Sequence, residues 1–471
     1  MSKQSSLPLV PLAAALWLAG CSLIPSYERP AAPVPAQWPG TANPTSGAAP
    51  AAELAWQDFF ADAALRRLIE LALLNNRDLR VAVLNIEQAR AQLGIKRADQ
   101  FPTLNAGVSG SRTPSGSGGN TSVYSAGLLV TAYEIDFFGR IASLKEQALA
   151  QYLATTEGSK TTQISLIATV AQSWLSLLAD EELLALSNQT LATREESLKL
   201  ARLRLDNGAA SELDWRQAQS LLETARVTLA QQQRQRALDE NALSLLLGQA
   251  LPADARTQLL TARLTQLRLP DLPAGLPSDL LTRRPDILQA EQQLMAANAN
   301  IGAARAAFFP RISLTAGAGS ASNELAGLFK GGSWGLTLAP QLLLPLLDAG
   351  RNQAGLDSAT TGRDIAIAQY EKAIQNAFRE VADALAGQET LKRQLSAQQD
   401  QTEAETQRLR LTDLRFKNGA ASLLDSLDAQ RSLFSAQQAV VQTRLAYLQN
   451  QVVLYKTLGG GALAAAPQMP Q

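Results

Sequence analysis

Hydrophobic and polar positions along this chain change period, and then repeat the change. Between about residues 63 and 98 the apolar positions Leu65, Leu68, Ile69, Ala72, Leu79, Val83, Ile86, Ala89 and Leu93 fall mostly at helical spacing. They predict one helix, closed by Pro102. Over 103–112 the pattern alternates, with Leu104, Ala106 and Val108 on one face and Asn105, Ser109 and Ser111 on the other. A Ser, Gly and Pro loop follows at 113–121. Alternation then returns over 122–134, where Tyr124, Ala126, Leu128, Val130 and Ala132 share a face. These are strand signals. From Arg140 to Leu205 there is no Pro and the only Gly is Gly158. Such a run predicts a helix of about 66 residues, roughly 100 Å long.

The second half repeats the first. Phe101-Pro102 matches Phe309-Pro310, Gly139-Arg140 matches Gly350-Arg351, and Leu247-Gly248 matches Leu458-Gly459. The offset is constant apart from one small insertion, the mark of a tandem duplication. Ile312, Leu314, Ala316 and Ala318 alternate with Ser313, Thr315, Gly317 and Gly319. Trp334, Leu336, Leu338 and Leu342 oppose Gly335, Thr337, Ala339 and Gln341.

A pentad also recurs, Asn207-Gly208-Ala209-Ala210-Ser211 and Asn418-Gly419-Ala420-Ala421-Ser422. Gly accepts the left-handed conformation that ends a helix, and Ser can cap the next one. Each copy predicts a tight turn between two antiparallel helices. Asp214 and Asp425 follow at the same distance.

The organisation predicted is a signal segment at 1–21, an extended arm at 22–62 and a first repeat at 63–250, followed by a linker at 251–277, a second repeat at 278–459 and a flexible tail at 460–471. The first repeat holds a β-hairpin at about 103–134 and a helical hairpin at about 140–247. The second holds a β-hairpin at about 311–345 and a helical hairpin at about 351–458. Trp56, Phe59 and Phe60 anchor the end of the arm.

Charge and composition narrow the chemistry. The 42 basic and 42 acidic residues cancel, which gives nucleic acid no basic surface. The absence of His removes the commonest general base and metal ligand. There is no phosphate-binding Gly-Lys-Ser/Thr loop, and no carboxylate pair is set across a cleft as a glycosidase needs. The chain is not expected to be an enzyme, to hold a cofactor, or to have a dedicated metal site.

Each strand is about long enough to cross a bilayer when tilted. Four strands cannot close a barrel, and an open edge in lipid leaves backbone groups unpaired. The chain must therefore assemble, and the small residues on one face favour three copies with an open lumen over two with a filled one.

The first residues, Lys3 and then Leu7 to Trp17, end in Leu18-Ala19-Gly20-Cys21. That end resembles the lipobox of bacterial lipoproteins, in which the Cys, here Cys21, becomes the lipidated N-terminus. Ser22 in place of Asp is similar to an outer-membrane address. The mature chain as a whole resembles the TolC-like outer-membrane factors, in the lipidated subgroup that serves resistance-nodulation-division pumps. The resemblance rests on Phe308-Phe309-Pro310-Arg311-Ile312-Ser313-Leu314, Asp136-Phe137-Phe138-Gly139-Arg140, Ile374–Leu385, Leu427-Asp428-Ala429-Gln430-Arg431 and Tyr455–Gly461.

It implies a mainly α fold with a transmembrane β part. A trimeric twelve-stranded β-barrel, four strands per chain, would be continuous with a long periplasmic α-helical barrel. The implied function is a passive exit duct for antibiotics and other small toxic compounds, worked with a periplasmic adaptor and an inner-membrane pump. Outer-membrane lipid would surround the barrel, and N-palmitoyl and S-diacylglycerol groups would be carried on Cys21. Two alternatives are a duct for type I protein secretion and a non-transporting helical scaffold lipoprotein. The resemblance further implies a periplasmic gate at Leu424, Asp425 and Asp428. Arg431, three residues past Asp428, is placed to pair with it, and Asp425 and Asp428 are candidates for cation block. Gly208, Ala209, Gly419 and Ala420 would be the tips that meet the adaptor. The plainer expectation is that Asp425 caps its helix and Leu424 packs. Gln217 stands where the first repeat would need the counterpart of Asp428, so the charge ring is not extended to that hinge.

Overall fold

The computed structural model describes residues 22–38, 53–114, 119–270, 272 and 277–461. The expected signal segment, Cys21 and residues 462–471 of the expected tail lie outside the described residues. The helices are α1 (Trp56–Phe59), α2 (Ala63–Asn75) and α3 (Arg77–Ala98), then α4 (Arg140–Asp206), α5 (Glu212–Leu247), α6 (Ala253–Leu259), α7 (Leu280–Arg283), α8 (Pro285–Ala306), α9 (Arg351–Lys417) and α10 (Leu423–Thr457). The strands are β1 (Leu104–Pro114), β2 (Asn120–Glu134), β3 (Arg311–Ser322) and β4 (Trp334–Leu343).

The chain divides into two compact units. One takes the chain up to Ala32, Leu84–Thr156 and Gln289–Lys372; the other takes Pro33–Val83, Glu157–Leu288 and residues from Ala373 onward.

In the first unit the strands form one antiparallel sheet in the order β1-β2-β3-β4. Register puts like with like. Ala106, Leu128, Ala318 and Leu336 lie in one row across the sheet, and Gly107, Gly127, Gly319 and Gly335 lie in the next. One face is therefore apolar and exposed, with Val108, Trp334, Leu336 and Leu338 each at least 71% accessible. The other is small and polar, and on it the Ser109 and Ser125 hydroxyls lie 2.7 Å apart. The simple alternation fails at one point. The register shifts between Val130 and Tyr133, and Ala132 takes a φ of 50°. Ala132 is thus part of a bulge rather than the fifth member of the apolar face.

Both repeats use one device to turn strand into helix. Gly139 and Gly350 have φ of 70° and 84°. Asp136 then accepts the Ala142 N–H at 2.7 Å, and Asp348 accepts those of Gly350 and Asn352 at 3.0 and 2.8 Å. Orphan N–H groups of the helix start are satisfied this way. Glu134 joins the repeats by pairing with Arg140 at 2.7 Å and Arg311 at 2.6 Å.

The second unit has the larger core. Phe59 stacks on Tyr455 at 4.1 Å, and the Tyr455 hydroxyl donates to the Leu54 carbonyl at 2.7 Å. Trp56, Phe60 and Trp174 are buried with them. The single helix expected from 63 to 98 is two. Asn76 breaks it because its side chain is used twice: Oδ1 accepts the Leu79 N–H at 3.0 Å and Nδ2 donates to the Leu246 carbonyl at 3.0 Å. Helical periodicity runs through such a break without a mark. The segment after Leu251 is also more than a connection, since Leu251, Ala255, Leu259 and Leu264 enter the same core.

Candidate functional site

The second unit carries both helix–helix turns. In each, the glycine is left-handed, Gly208 at φ 70° and Gly419 at 74°. The hydrogen bonds match one for one. Gly208 donates to Leu205 and Ala209 to Arg204, as Gly419 donates to Phe416 and Ala420 to Arg415. This double bond closes the last carbonyls of α4 and α9. Ser211 and Ser422 then cap α5 and α10. Ser422 Oγ accepts the Asp425 N–H at 3.2 Å, while Asp425 Oδ2 accepts the Ser422 N–H at 2.9 Å. Asp214 does the same for Ser211 at 3.0 Å. Both helices thus start with a reciprocal capping box. Gly208, Ala209, Gly419 and Ala420 are all exposed.

Past the second turn, α10 sorts its residues by face. Leu423, Ser426, Leu427 and Ala429 are buried; Leu424, Asp425 and Arg431 are exposed, Leu424 by 52%. Leu424 and Asp428, four apart, lie on one side of the helix. Asp428 is held twice. Arg431 reaches Oδ1 at 2.5 Å, the contact that their spacing allows, and Arg408 of α9 reaches Oδ2 at 2.8 Å. Hydrogen bonds from Arg408 and the charge of Arg431 hold the Asp428 carboxyl below its ordinary range. Asp425 is also held low, by its bonds to Ser422. Asp425 is therefore engaged with its own helix start, while Asp428 ties two helices.

Two residues enter that local sequence reasoning did not find. Arg408 follows from counting, because in an antiparallel hairpin residues at similar distances on either side of Gly419 face each other. Arg194 of α4 had no such signal. It is only 4% exposed. It donates to the Leu427 carbonyl at 3.4 Å and to Gln430 Oε1 at 2.8 Å, on the turn of α10 that carries Asp428. Burial, and then the charge of Arg431, lowers its pKa. Among the described residues, no group of three or more acidic, Cys or His side chains could hold a metal ion. Cys21 lies outside the described residues.

The chain as a whole is similar to known proteins. The family model for outer membrane efflux proteins matches residues 68–249 and 276–460. The chain is 51% identical over 454 residues to a probable efflux pump outer membrane protein, TtgC of Pseudomonas putida, covering 94% of this chain and 93% of that one. It is 46% identical over 454 residues to the outer membrane protein OprJ of Pseudomonas aeruginosa, covering 95% and 94%. Its structure aligns with the open state of the MtrE outer membrane channel of Neisseria gonorrhoeae with a TM-score of 0.86 at 41% identity, covering 94% and 99%.

Proposed function

This chain belongs to the outer membrane efflux protein family, and we propose that three copies of it form the exit duct of a tripartite drug and solvent efflux pump. It is an outer-membrane channel. The observation that carries the assembly is the sheet. Its four strands leave β1 and β4 as outer edges, and its apolar face is exposed. In lipid both edges must be paired, so β4 of one copy joins β1 of the next until twelve strands close. The apolar face then meets lipid and the Ser and Gly face lines the lumen.

The long helices of the three copies form the periplasmic conduit. The sequence holds no Gly-x-x-x-x-Gly-Lys-Ser/Thr phosphate loop, and an inner-membrane pump supplies the energy. Relatives are named for efflux of toluene and of antibiotics, and the cargo of this channel is of the same kind, small and partly apolar. The exposed tips Gly208, Ala209, Gly419 and Ala420 receive the periplasmic adaptor, because only small residues let another helix pair approach. Leu424, Asp425, Asp428 and Arg431 form the resting gate, with Arg408 and Arg194 as the residues that hold that turn of α10 in place. Cys21 carries the lipid, a second anchor beside the barrel.

Reconstitution tests this. Purified protein should run as a heat-sensitive trimer and conduct ions in a planar bilayer, and deletion of the gene should raise susceptibility to toluene and to apolar antibiotics. A protein that binds the membrane and never conducts would leave only a scaffold role.

A further inference from the structure

The start of the arm lies along α8, within the unit that carries the sheet, and it follows an order. Arg305 donates to the Leu23 carbonyl at 3.2 Å. Ile24 Cγ1 sits 2.6 Å from where a Cβ on Gly302 would stand. Asn298 donates to the Pro25 carbonyl at 2.8 Å. Met295 lines the same groove as Ile24, Pro25 and Tyr27. Last, the Tyr27 hydroxyl donates to Glu291 at 2.9 Å and the Arg29 guanidinium takes both its oxygens at 2.7 and 2.8 Å. As the arm number rises, the helix number falls through 305, 302, 298, 295 and 291. Steps of three and four make these one stripe of α8. The arm runs antiparallel to the helix, and its first residues lie at the end that leads into β3.

The stripe is electrostatically incomplete by itself. The Glu291 side chain is 3% exposed. A carboxylate so buried is costly unless paired. The hydrogen bonds it accepts come from Tyr27 and Arg29, both in the arm. Tyr370 of α9 is buried and close enough to feel the Glu291 charge, and its hydroxyl has no hydrogen-bond partner among the described residues. Nothing on α8 or α9 supplies the missing positive charge. Gly302 has the complementary role in shape, since any side chain there would displace Ile24.

We propose that Arg305, Gly302, Asn298, Met295 and Glu291 form a docking track for the arm, and that Arg29 and Glu291 are the clasp that seats it. A segment rich in Pro, Ala and Gly would otherwise be a slack spacer. On the track its reach is fixed by the pitch of a helix.

The test uses trimers of the full chain in outer membranes, digested with chymotrypsin. Cleavage between Tyr27 and Glu28 is followed by mass spectrometry of the released fragment. Seating protects that bond. Glu291→Gln and Arg29→Ala should each speed its cleavage by at least about tenfold, the loss of a charged hydrogen-bonded pair, and the double variant no further. If Arg29→Ala fails to assemble because Glu291 is left unpaired, the double variant should restore trimers and keep the arm loose. Wild-type cleavage rates in folded trimers of these variants overturn the clasp. Cys21→Ser, exported behind another signal peptide, should keep the wild-type rate. A rise to the Glu291→Gln rate would mean that the lipid, not the track, seats the arm.

Discussion

The guanidinium of Arg408 donates to Asp428 at 2.8 Å across the second helical hairpin, joining α9 to α10 two helical turns from their common turn. Both groups are accessible, so the pair adds little to the stability of the hairpin. Its effect is positional: it fixes the side of α10 that carries Leu424 and Asp428. Arg408→Ala should therefore leave the thermal melting of purified trimers unchanged and lengthen channel openings several-fold, on the order expected for the loss of one tie in a two-state gate. Single-channel recording checks this. A lower melting temperature with unaltered openings would make Arg408 a structural residue only.

The turns predict a separation of assembly from function. Gly208 and Gly419 have nothing within 4 Å of an added Cβ, although both have positive φ. A substitution there costs about 1–2 kcal/mol of backbone strain and meets no neighbour within the chain. Gly208→Trp and Gly419→Trp should form normal trimers and lose drug resistance, because bulk excludes the adaptor. Gly208→Ala should have the strain without the bulk and retain most resistance. Minimum inhibitory concentrations beside a trimer immunoblot separate the effects. Full resistance in both Trp variants would mean that the tips do not face the adaptor.

What could be read from the residues was local. Asn207-Gly208 and Asn418-Gly419 determine their turns through bonds spanning three to five residues, Ser422 and Asp425 cap each other three apart, and Arg431 finds Asp428 within one turn. What could not be read depends on which helix lies beside which. Arg194 faces α10 from another hairpin, more than two hundred residues away in the chain. Asn76 interrupts a mostly helical pattern because the Leu246 carbonyl is within reach. The segment from Leu251 to Leu264 has the composition of a linker, and only the core it enters shows otherwise. The sheet lies between these cases. Alternation reveals the strands, but the bulge at Ala132 arises from pairing with β3.

A buried carboxyl sets a pH dependence. Asp180 on α4 is 6% exposed, and its Oδ2 has no hydrogen-bond donor among the described residues. Burial first, then Asp239 of α5 within hydrogen-bonding reach and Glu181 beside it, push its pKa up to about 8; Arg236 opposes them. Arg236 is itself engaged with Glu181 and Glu240. The ordinary value for an aspartate is 3.8. A folded value above the unfolded one means stability fully present below about pH 4 and lost as pH rises through about 8. Between pH 5 and 9 the melting temperature of the trimer should fall. Asp180→Asn keeps a donor for Asp239 and cannot ionise, so its curve should be flatter and should lie above wild type at pH 9. Parallel curves would rule Asp180 out as the cause.

Gly127 and Gly319 face each other across β2 and β3, and each leaves the other no room. A Cβ on Gly127 would stand 2.5 Å from the Ala318 carbonyl oxygen and 2.6 Å from Gly319 Cα. Backbone on both sides cannot give way as a flexible side chain would. Gly127→Val or Gly319→Val should part the central strands and remove heat-stable trimers from the outer membrane. The same change at Gly331, in the connection between β3 and β4 where nothing lies within 4 Å of the added carbon, should be tolerated. Heat-modifiable gel mobility of membrane fractions distinguishes the sites, and equal tolerance at all three would show that the strands can separate without loss of the barrel.

The gate prediction follows from where the charges are tied. In a threefold ring six carboxylates, from Asp425 and Asp428, would approach a common axis, and like charges so placed repel. Relief by proton uptake is not favoured here, because both carboxyls are held below their ordinary range. Their stabilising contacts persist above the usual carboxylate range and are lost only as pH falls through the lowered values. Conductance should thus stay constant from pH 7 to 5. Relief comes instead from Arg431 and Arg408, one on each oxygen of Asp428, and from Ser422 on Asp425 Oδ2. Leu424 would add an apolar ring one turn away. Leu424→Ala with Asp428→Ala should raise the open fraction by at least about tenfold, the shift expected of a two-state gate that loses both its plug and its tie. Vancomycin should then enter cells that otherwise exclude it. Asp425→Asn with Asp428→Asn should weaken block by divalent and trivalent cations added on the periplasmic side, while Asp214→Asn, in the same capping box of the first repeat but without a partner for Asp428, should not. A role in capping alone predicts the reverse: lower melting temperatures for Asp425→Asn and Asp214→Asn alike, with conductance and cation block unmoved.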